Sequence, residues 1–332
     1  MAHNANLRVV PRPFLIDTDT ASDDAVALIM ALRAPDVDVR AITIVAGNVP
    51  VAQAARNALY TAELCGSSVP VYPGTGKPLL REYMHAEWFH GKDGLGDHNY
   101  PAPRRAPEPT HAVEAIVEII RANPGITLVT LGPLTNVALA LARAPEIAAN
   151  VGRAVVMGGA PCCEGNVTPA AEYNVWVDPE AARMVARSGL PIELVGWHLC
   201  RGTAALDPAD IDRVLGFGTP LARFAVECNS TAMAAYRVQT GENGISLPDP
   251  VAMSIALDPS ICTSASAHYL EIETVSDLTR GMTVVDRLNI AENQRNSLIW
   301  KQALDGGRKA QICWTIDVPR WKQALYAALR GF

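Results

Sequence analysis

The sequence predicts an α/β protein: a doubly wound, mostly parallel sheet with helices on both faces, Rossmann-like in its core, plus an irregular C-terminal α+β elaboration. Three observations predict it. Apolar residues make up 49% of the 332 positions, enough to bury a large core and too many for a disordered chain or a coiled coil. Up to residue 205, short runs rich in β-branched residues alternate with Ala/Leu-rich stretches of helical period. Such alternation, with strands that read as near-continuous apolar runs, is the signature of parallel strands covered on both sides. Beyond residue 205 the rhythm breaks into shorter, mixed segments.

In chain order, strands are expected at Phe14–Asp17, Val39–Val45, Val69–Tyr72, Ile126–Thr130, Ala154–Met157 and Ile192–Val195. Helices are expected between them at Asp23–Arg33, Val51–Cys65, Thr110–Arg121, Leu134–Arg143 and Pro179–Arg187. Further helices follow at Pro208–Leu215, Pro220–Arg237 and Val251–Leu257, with the Pro/Gly-rich stretch GENGISLPDP before the last. Short strands at Tyr269–Val275, Thr283–Val285 and Gln311–Ile316 lead to an amphipathic helix, Arg320–Leu329. The segment Gly74–Pro109 reads as one long loop, and long loops in compact domains are often binding loops. There is no linker, repeat or low-complexity tract, so residues 1–332 read as a single domain, residues 1–12 being a flexible N-terminal extension.

Charge and composition narrow the class. The 28 Lys and Arg against 34 Asp and Glu leave a net charge of −6, the wrong sign for a nucleic-acid binder. No apolar run approaches the ~20 residues of a spanning helix, and no secretory signal opens the chain. The seven cysteines are odd in number and form no C-x-x-C pair, against a disulfide framework or zinc knuckle. A cytoplasmic protein with a small-molecule partner, binding neither nucleic acid nor membrane, is the expectation.

The most informative passage is FLIDTDTASDDAVALIMAL, which puts Asp17, Asp19, Asp23 and Asp24 within eight residues and no Lys or Arg among them. Asp23 and Asp24 suit the first turn of a helix, where the dipole favours anions. Asp17 and Asp19 fall at the carboxyl end of a strand, where clustered carboxylates repel and resist desolvation. A hard divalent cation with oxygen ligands relieves that penalty. Two chemistries fit this opening. One is phosphoryl transfer by a haloacid-dehalogenase-type Mg-dependent phosphatase, with Asp17 of the D-x-D-x-T pattern as nucleophile. The other is hydrolysis of an N-glycosidic bond. The short match leaves both open.

Further motifs accompany it in order: IVAGN ending at Asn48, HGKDGLGD from His90, LGPLTNVALAL from Leu131, VMGGA, GNVTPAAEYNVWVDPEAA, LPDPVAMSIALDP from Leu247, and TRGMTVVD from Thr279. With these the chain resembles the inosine–uridine-preferring nucleoside hydrolases from residue 14 nearly to its end. The dehalogenase pattern, by contrast, lacks its downstream Lys and G-D-x-x-x-D acid pair. The resemblance implies a calcium-dependent nucleoside N-ribohydrolase of purine or pyrimidine salvage, a homodimer or homotetramer. It implies Ca²⁺ held by Asp19, Asp24, the Leu131 carbonyl and Asp249, with Asp17 in support. It implies ribose bound by Asp23, Asn48, Asn166, Glu172 and Asn174, and Asp19 as the general base of a cation-positioned water.

Two departures stand out. Where the family carries a His before the last metal-binding Asp, this chain has Pro248, which has no proton to give. His90 and Tyr236 are then the candidates for activating the leaving base, with His198 a weaker one and Trp88 a stacking surface. The absent His also leaves room for a nonhydrolytic nucleoside or ribose binder. The second departure is Thr20-Ala21 where the family has Pro-Gly, so the turn must form without glycine's conformational freedom.

Overall fold

The computed structural model describes residues 11–306 and 308–331. Ten strands are present among the described residues: β1 (Arg12–Thr18), β2 (Val37–Ile44), β3 (Val71–Pro73), β4 (Ile126–Thr130), β5 (Val151–Met157), β6 (Ile192–Val195), β7 (Cys262–His268), β8 (Leu270–Ile272), β9 (Thr283–Val285) and β10 (Ala310–Ile316). Thirteen α-helices among the described residues are α1 (Ser22–Leu32), α2 (Val51–Leu64), α3 (Glu87–His90), α4 (Ala112–Ala122), α5 (Thr135–Arg143), α6 (Tyr173–Val177), α7 (Pro179–Ala186), α8 (Pro208–Leu215), α9 (Pro220–Glu227), α10 (Ser230–Thr240), α11 (Pro248–Leu257), α12 (Lys301–Asp305) and α13 (Val318–Leu329).

Eight strands form one sheet in the order β3-β2-β1-β4-β5-β6-β10-β7. All neighbours pair in parallel except β10 and β7. The doubly wound, mostly parallel architecture is therefore as expected. Side chains alternate across the strands, so each face buries its own core. Phe14, Ile16, Ile42, Ile44, Val129 and Val155 face one way, onto helices that include α1, α2, α11 and α13. Leu15, Ala41, Ile126, Leu128, Ala154 and Val156 face the other way, onto α4, α5 and α7. The strand order reverses between β1 and β4, and ligands in such sheets settle beyond the strand ends at that point.

Several elements depart from expectation. Arg12, assigned to the N-terminal extension, opens β1 and pairs with Val37; residues 1–10 of that extension lie outside the described residues. Strand β7 was missed because it is an edge strand whose middle residues are exposed and polar, which hides the strand pattern. The helix expected over Pro220–Arg237 is two. It breaks at Cys228 and Asn229, where the Asn229 side-chain amide donates to the Ala225 carbonyl (2.9 Å). Strands β8 and β9 form a separate two-stranded sheet. The loop 74–109 carries the single-turn helix α3. No helix among the described residues is long and apolar enough to cross a membrane.

Asp178 joins three of these pieces. It caps α7 by accepting from the Ala181 amide (3.1 Å), and it also takes the Leu79 amide (2.9 Å) and the Thr135 hydroxyl (2.6 Å). It is fully buried. Asp178→Ala leaves three inward donors without an acceptor and should destabilise the fold by about 2–4 kcal/mol, with Asp178→Asn losing roughly half as much. Urea unfolding of the three proteins measures this; equal midpoints would contradict the role.

Candidate active site

The acidic turn after β1 holds its shape by side-chain bonding rather than by glycine. Ala21 sits in extended backbone (φ −113°), and neither it nor Thr20 adopts positive φ. The Thr18 hydroxyl donates to Asp24 Oδ1 (2.5 Å), the Ala21 amide donates to Asp24 Oδ2 (2.9 Å), and the Asn57 amide donates to the Thr20 carbonyl (3.0 Å). Thr18 and Thr20 hydroxyls meet at 3.1 Å. The Pro-Gly of the family pattern is thus replaced by a hydroxyl and amide network that leaves Asp24 at the start of α1.

From this turn the chain gathers carboxylates. Asp23 and Asp24 stand in the first turn of α1, and Asp249 stands in the first turn of α11, which packs on α1. Carboxylate oxygens of Asp23, Asp24 and Asp249 lie within 4.8 Å of one another, so residues more than two hundred positions apart share one site. Asp19 lies outside this trio and Asp23 inside it, a division different from the one the resemblance implies. Asp19 Oδ2 accepts the Asn48 amide (2.6 Å) from the loop after β2, while its carboxylate still neighbours that of Asp24. Its Oδ1 is buried and has no hydrogen-bond partner. Asp17 lies deeper: Oδ1 accepts from Thr43 (2.5 Å) and Asn136 (2.9 Å), and Oδ2 is likewise buried without a partner.

Burial drives the pKa of every one of these acids upward. Asp17 rises to about 7 for that reason. Asp23 rises to about 8, through burial first and the Asp24 charge second. Asp24 is raised by burial, and Asp19 and Asp249 are raised strongly by burial and by the neighbouring carboxylates. A hard cation fits this donor set. The groups are all oxygen, they lack a cationic side chain to neutralise them, and two carboxylate oxygens have no partner.

Two glycines make room for Asp19. A Cβ at Gly47 would lie 2.0 Å from Asp19 Oδ2, and one at Gly132 would lie 2.7 Å from Asp19 Oδ1. Both were missed in the sequence, although each sits beside a residue that was singled out, Asn48 and Leu131. The Gly47 carbonyl in turn accepts from the Tyr83 hydroxyl (3.0 Å) and the Tyr173 hydroxyl (2.8 Å).

Above the carboxylates opens a cavity with a solvent-exposed mouth. Asp23, Asn48, His90, Leu131, Asn166, Glu172, Asn174 and Asp249 all line it, so every ribose-binding candidate converges there. No Lys or Arg does. Glu172 caps α6: Oε1 accepts the Asn174 amide (2.9 Å) and Oε2 the Gly159 amide (2.8 Å). The Asn174 side chain donates to the Leu131 carbonyl (2.7 Å), which keeps a second lone pair. Asn166 accepts the Tyr173 amide (2.9 Å). Ser22, Trp197, Asn229, Gln239 and Ser246 also line the cavity; scattered over helices, turns and loops, they share no local pattern that marks them.

The leaving-group candidates separate. His90 ends α3 and lines the cavity, its Nδ1 2.8 Å from the Ser22 hydroxyl, and burial lowers its pKa to about 3. Trp88 lines the mouth and is 58% exposed. Tyr236 does not line the cavity; its hydroxyl donates to Glu242 (2.8 Å) instead, because α10 turns that ring inward under its own C-terminal end. His198 is also off the lining, with Nε2 on the Cys313 carbonyl (2.9 Å). Asp17, Asp19 and Asp24 are all fully buried, and none of the three is on the cavity lining.

A family model described as inosine-uridine preferring nucleoside hydrolase matches residues 14–323. The pyrimidine-specific ribonucleoside hydrolase RihA of Klebsiella pneumoniae subsp. pneumoniae is 38% identical over 318 residues, 95% of this chain and 99% of that protein. The protein of the same name from Shewanella sp. (strain MR-7) is 40% identical over 291 residues, 87% and 91% of the two chains. Among solved structures, a plant nucleoside hydrolase, PpNRh1, matches with a TM-score of 0.89 and 30% identity over 97% of this chain and 100% of that one. A purine-preferring ribonucleoside hydrolase from Gardnerella vaginalis matches with a TM-score of 0.84 and 28% identity over 96% and 98%. With its carboxylates gathered under a polar cavity, this chain belongs to the inosine-uridine preferring nucleoside hydrolase family and is an N-glycosidase of ribonucleosides.

Proposed function

We propose that the chain hydrolyses ribonucleosides to ribose and free base with a Ca²⁺ ion held by Asp19, Asp24, Asp249 and the Leu131 carbonyl. The convergence of distant carboxylates under one cavity carries the reading. When bound, the cation supplies a positioned, more acidic water. Asp19 takes the proton on Oδ1, the oxygen that no protein donor holds. Asp23, Asn48, Asn166, Glu172 and Asn174 bind the sugar hydroxyls, each of which both donates and accepts. Their carboxylates also favour the positive charge that grows on the ribose ring as the bond breaks. His90, which lines the same cavity, assists the departing base.

The cavity's acidic, cation-free lining disfavours a 5′-phosphate, so nucleosides are preferred to nucleotides. Uridine and cytidine are the substrates of first choice, because the curated relatives are named pyrimidine-specific. The whole chain acts as one catalytic domain: the ligand set runs from Asp19 to Asp249, and strands from both ends share the sheet.

Ribose release from uridine should vanish with chelator and return with Ca²⁺. Asp19→Ala should lower kcat by about 10³-fold or more, being both ligand and base. Asn174→Ala should raise KM while elemental analysis still finds the ion; loss of the ion would refute the division between sugar and metal ligands.

Gly47→Ala forces a methyl group against Asp19 Oδ2 and Pro133. It should cost about 100-fold in kcat by displacing the base, with the far-ultraviolet circular dichroism of the wild type retained. Wild-type turnover from this variant would show that Asp19 needs no such room.

The raised acids also set a pH dependence. Asp17 and Asp23 hold protons up to about 7 and about 8 in the metal-free fold, against 3.8 ordinarily. Over that interval the folded state binds more protons than the unfolded one, so their contribution is complete below pH 3.8 and is lost as pH rises to 8. The lowered His90 works in the opposite sense between its value of about 3 and the ordinary 6.5, but it is one group against several. The Tm of the chelator-treated protein should fall from pH 6.5 to pH 8, and added Ca²⁺ should raise Tm more at pH 8 than at pH 5. A Tm rising over that first interval would contradict the account.

A further inference from the structure

We propose that Ser22 is a positioning residue for departure of the base: its hydroxyl donates to His90 Nδ1 and holds the ring in the tautomer that turns Nε2–H to the cavity. This rests on the hydrolase reading above. Ser22 is fully buried at the first position of α1, and its Oγ lies 2.8 Å from His90 Nδ1. Among the described residues that hydroxyl makes no other hydrogen bond. A buried O–H donor left without an acceptor is costly, so the proton points to the ring nitrogen. The competing acceptor, Asp23 Oδ1, stands 3.9 Å from Nδ1, beyond hydrogen-bond reach.

A neutral imidazole that accepts at Nδ1 carries its proton on Nε2. The ring is neutral because burial lowers its pKa to about 3. Nε2 has no protein partner and is not among the buried polar atoms sealed from solvent, while His90 itself lines the cavity. The Phe89 ring meets the imidazole edge-on at 4.9 Å between centroids and limits its swing. A base nitrogen that takes the bonding electron pair when the glycosidic bond breaks needs a donor, and Pro248, on the same cavity wall as Asp249, has none. His90 presents a donor, and Ser22 determines which way it points.

The test compares uridine with 4-nitrophenyl β-D-ribofuranoside, whose leaving group departs as a stable anion and needs no proton. In the full-length, Ca²⁺-loaded protein, Ser22→Ala should lower kcat on uridine by about 10–100-fold, the range for a misdirected proton donor. KM for uridine should stay within about threefold, and the loss should be at least about ten times greater on uridine than on the nitrophenyl riboside. Ser22→Thr, which keeps the hydroxyl, should recover most of the uridine rate. Ser22→Cys, a weak donor of similar size, should fall between them, and it decides the matter if the Ala variant does not fold. Equal losses on both substrates, or no loss on uridine, would overturn the role of Ser22 and leave the hydrolase reading intact. A wild-type protein that frees ribose from neither substrate would overturn that reading and this proposal with it.

Discussion

The fold is arranged around one electrostatic difficulty: five aspartates crowd a dry region at the carboxyl end of β1. Two helices begin there, α1 with Asp23 and Asp24 in its first turn and α11 with Asp249 in its own. Each N-terminus offers unpaired amides and the positive end of a dipole, worth about 0.3–1 kcal/mol per favourable charge. Hydroxyls of Thr18 and Thr43 and the amides of Ala21, Asn48 and Asn136 add hydrogen bonds. These do not match the several kcal/mol that each buried ion costs. The balance must come from protons or from a cation, and the upward pKa shifts of all five acids express that competition. Proton and cation therefore contend for the same oxygens, which ties catalytic readiness to stability in one place.

How far the sequence disclosed this follows from distance along the chain. The strand before Asp17, the acidic residues suited to a first helical turn and the alternation of the first two hundred residues are local patterns, and they located β1, α1 and most of the sheet correctly. The meeting of Asp249 with Asp23 and Asp24 is not local; it was legible only because several ordered motifs fitted a family. Glycines 47 and 132 were unreadable because their reason is the side chain of Asp19 on another segment, a contact that no window contains. Strand β7 failed for the converse reason, since its exposed polar residues satisfy solvent rather than a core. The aromatic at 236 has both a ring and a hydroxyl suited to a site, yet burial under α10 and Glu242 claims them.

The two departures from the family pattern have different structural costs. Thr20-Ala21 is absorbed locally, because an extended Ala21 with three surrounding hydrogen bonds reaches the same helix start. Pro248 fits as well, since the first turn of a helix has no use for its missing N–H. Asp249 keeps its place. What changes is chemical: Pro248 beside Asp249 presents no proton, whereas His90 at the end of α3, within the long segment 74–109, lines the same cavity.

The segment that carries His90 is tied to Asp19 by a short chain of contacts. Tyr83 of the same segment donates to the Gly47 carbonyl, and the Tyr173 hydroxyl lies 2.8 Å from both the Gly47 and the Met84 carbonyls, its one proton serving either. Gly47 lies against Asp19, and the following amide, Asn48, holds Asp19 Oδ2. Displacement of the segment carrying His90 would strain the same backbone that orients Asp19. Because packed interiors shift between discrete arrangements rather than deforming smoothly, one stretch of main chain, residues 47–48, links the placement of the segment that carries His90 to that of Asp19.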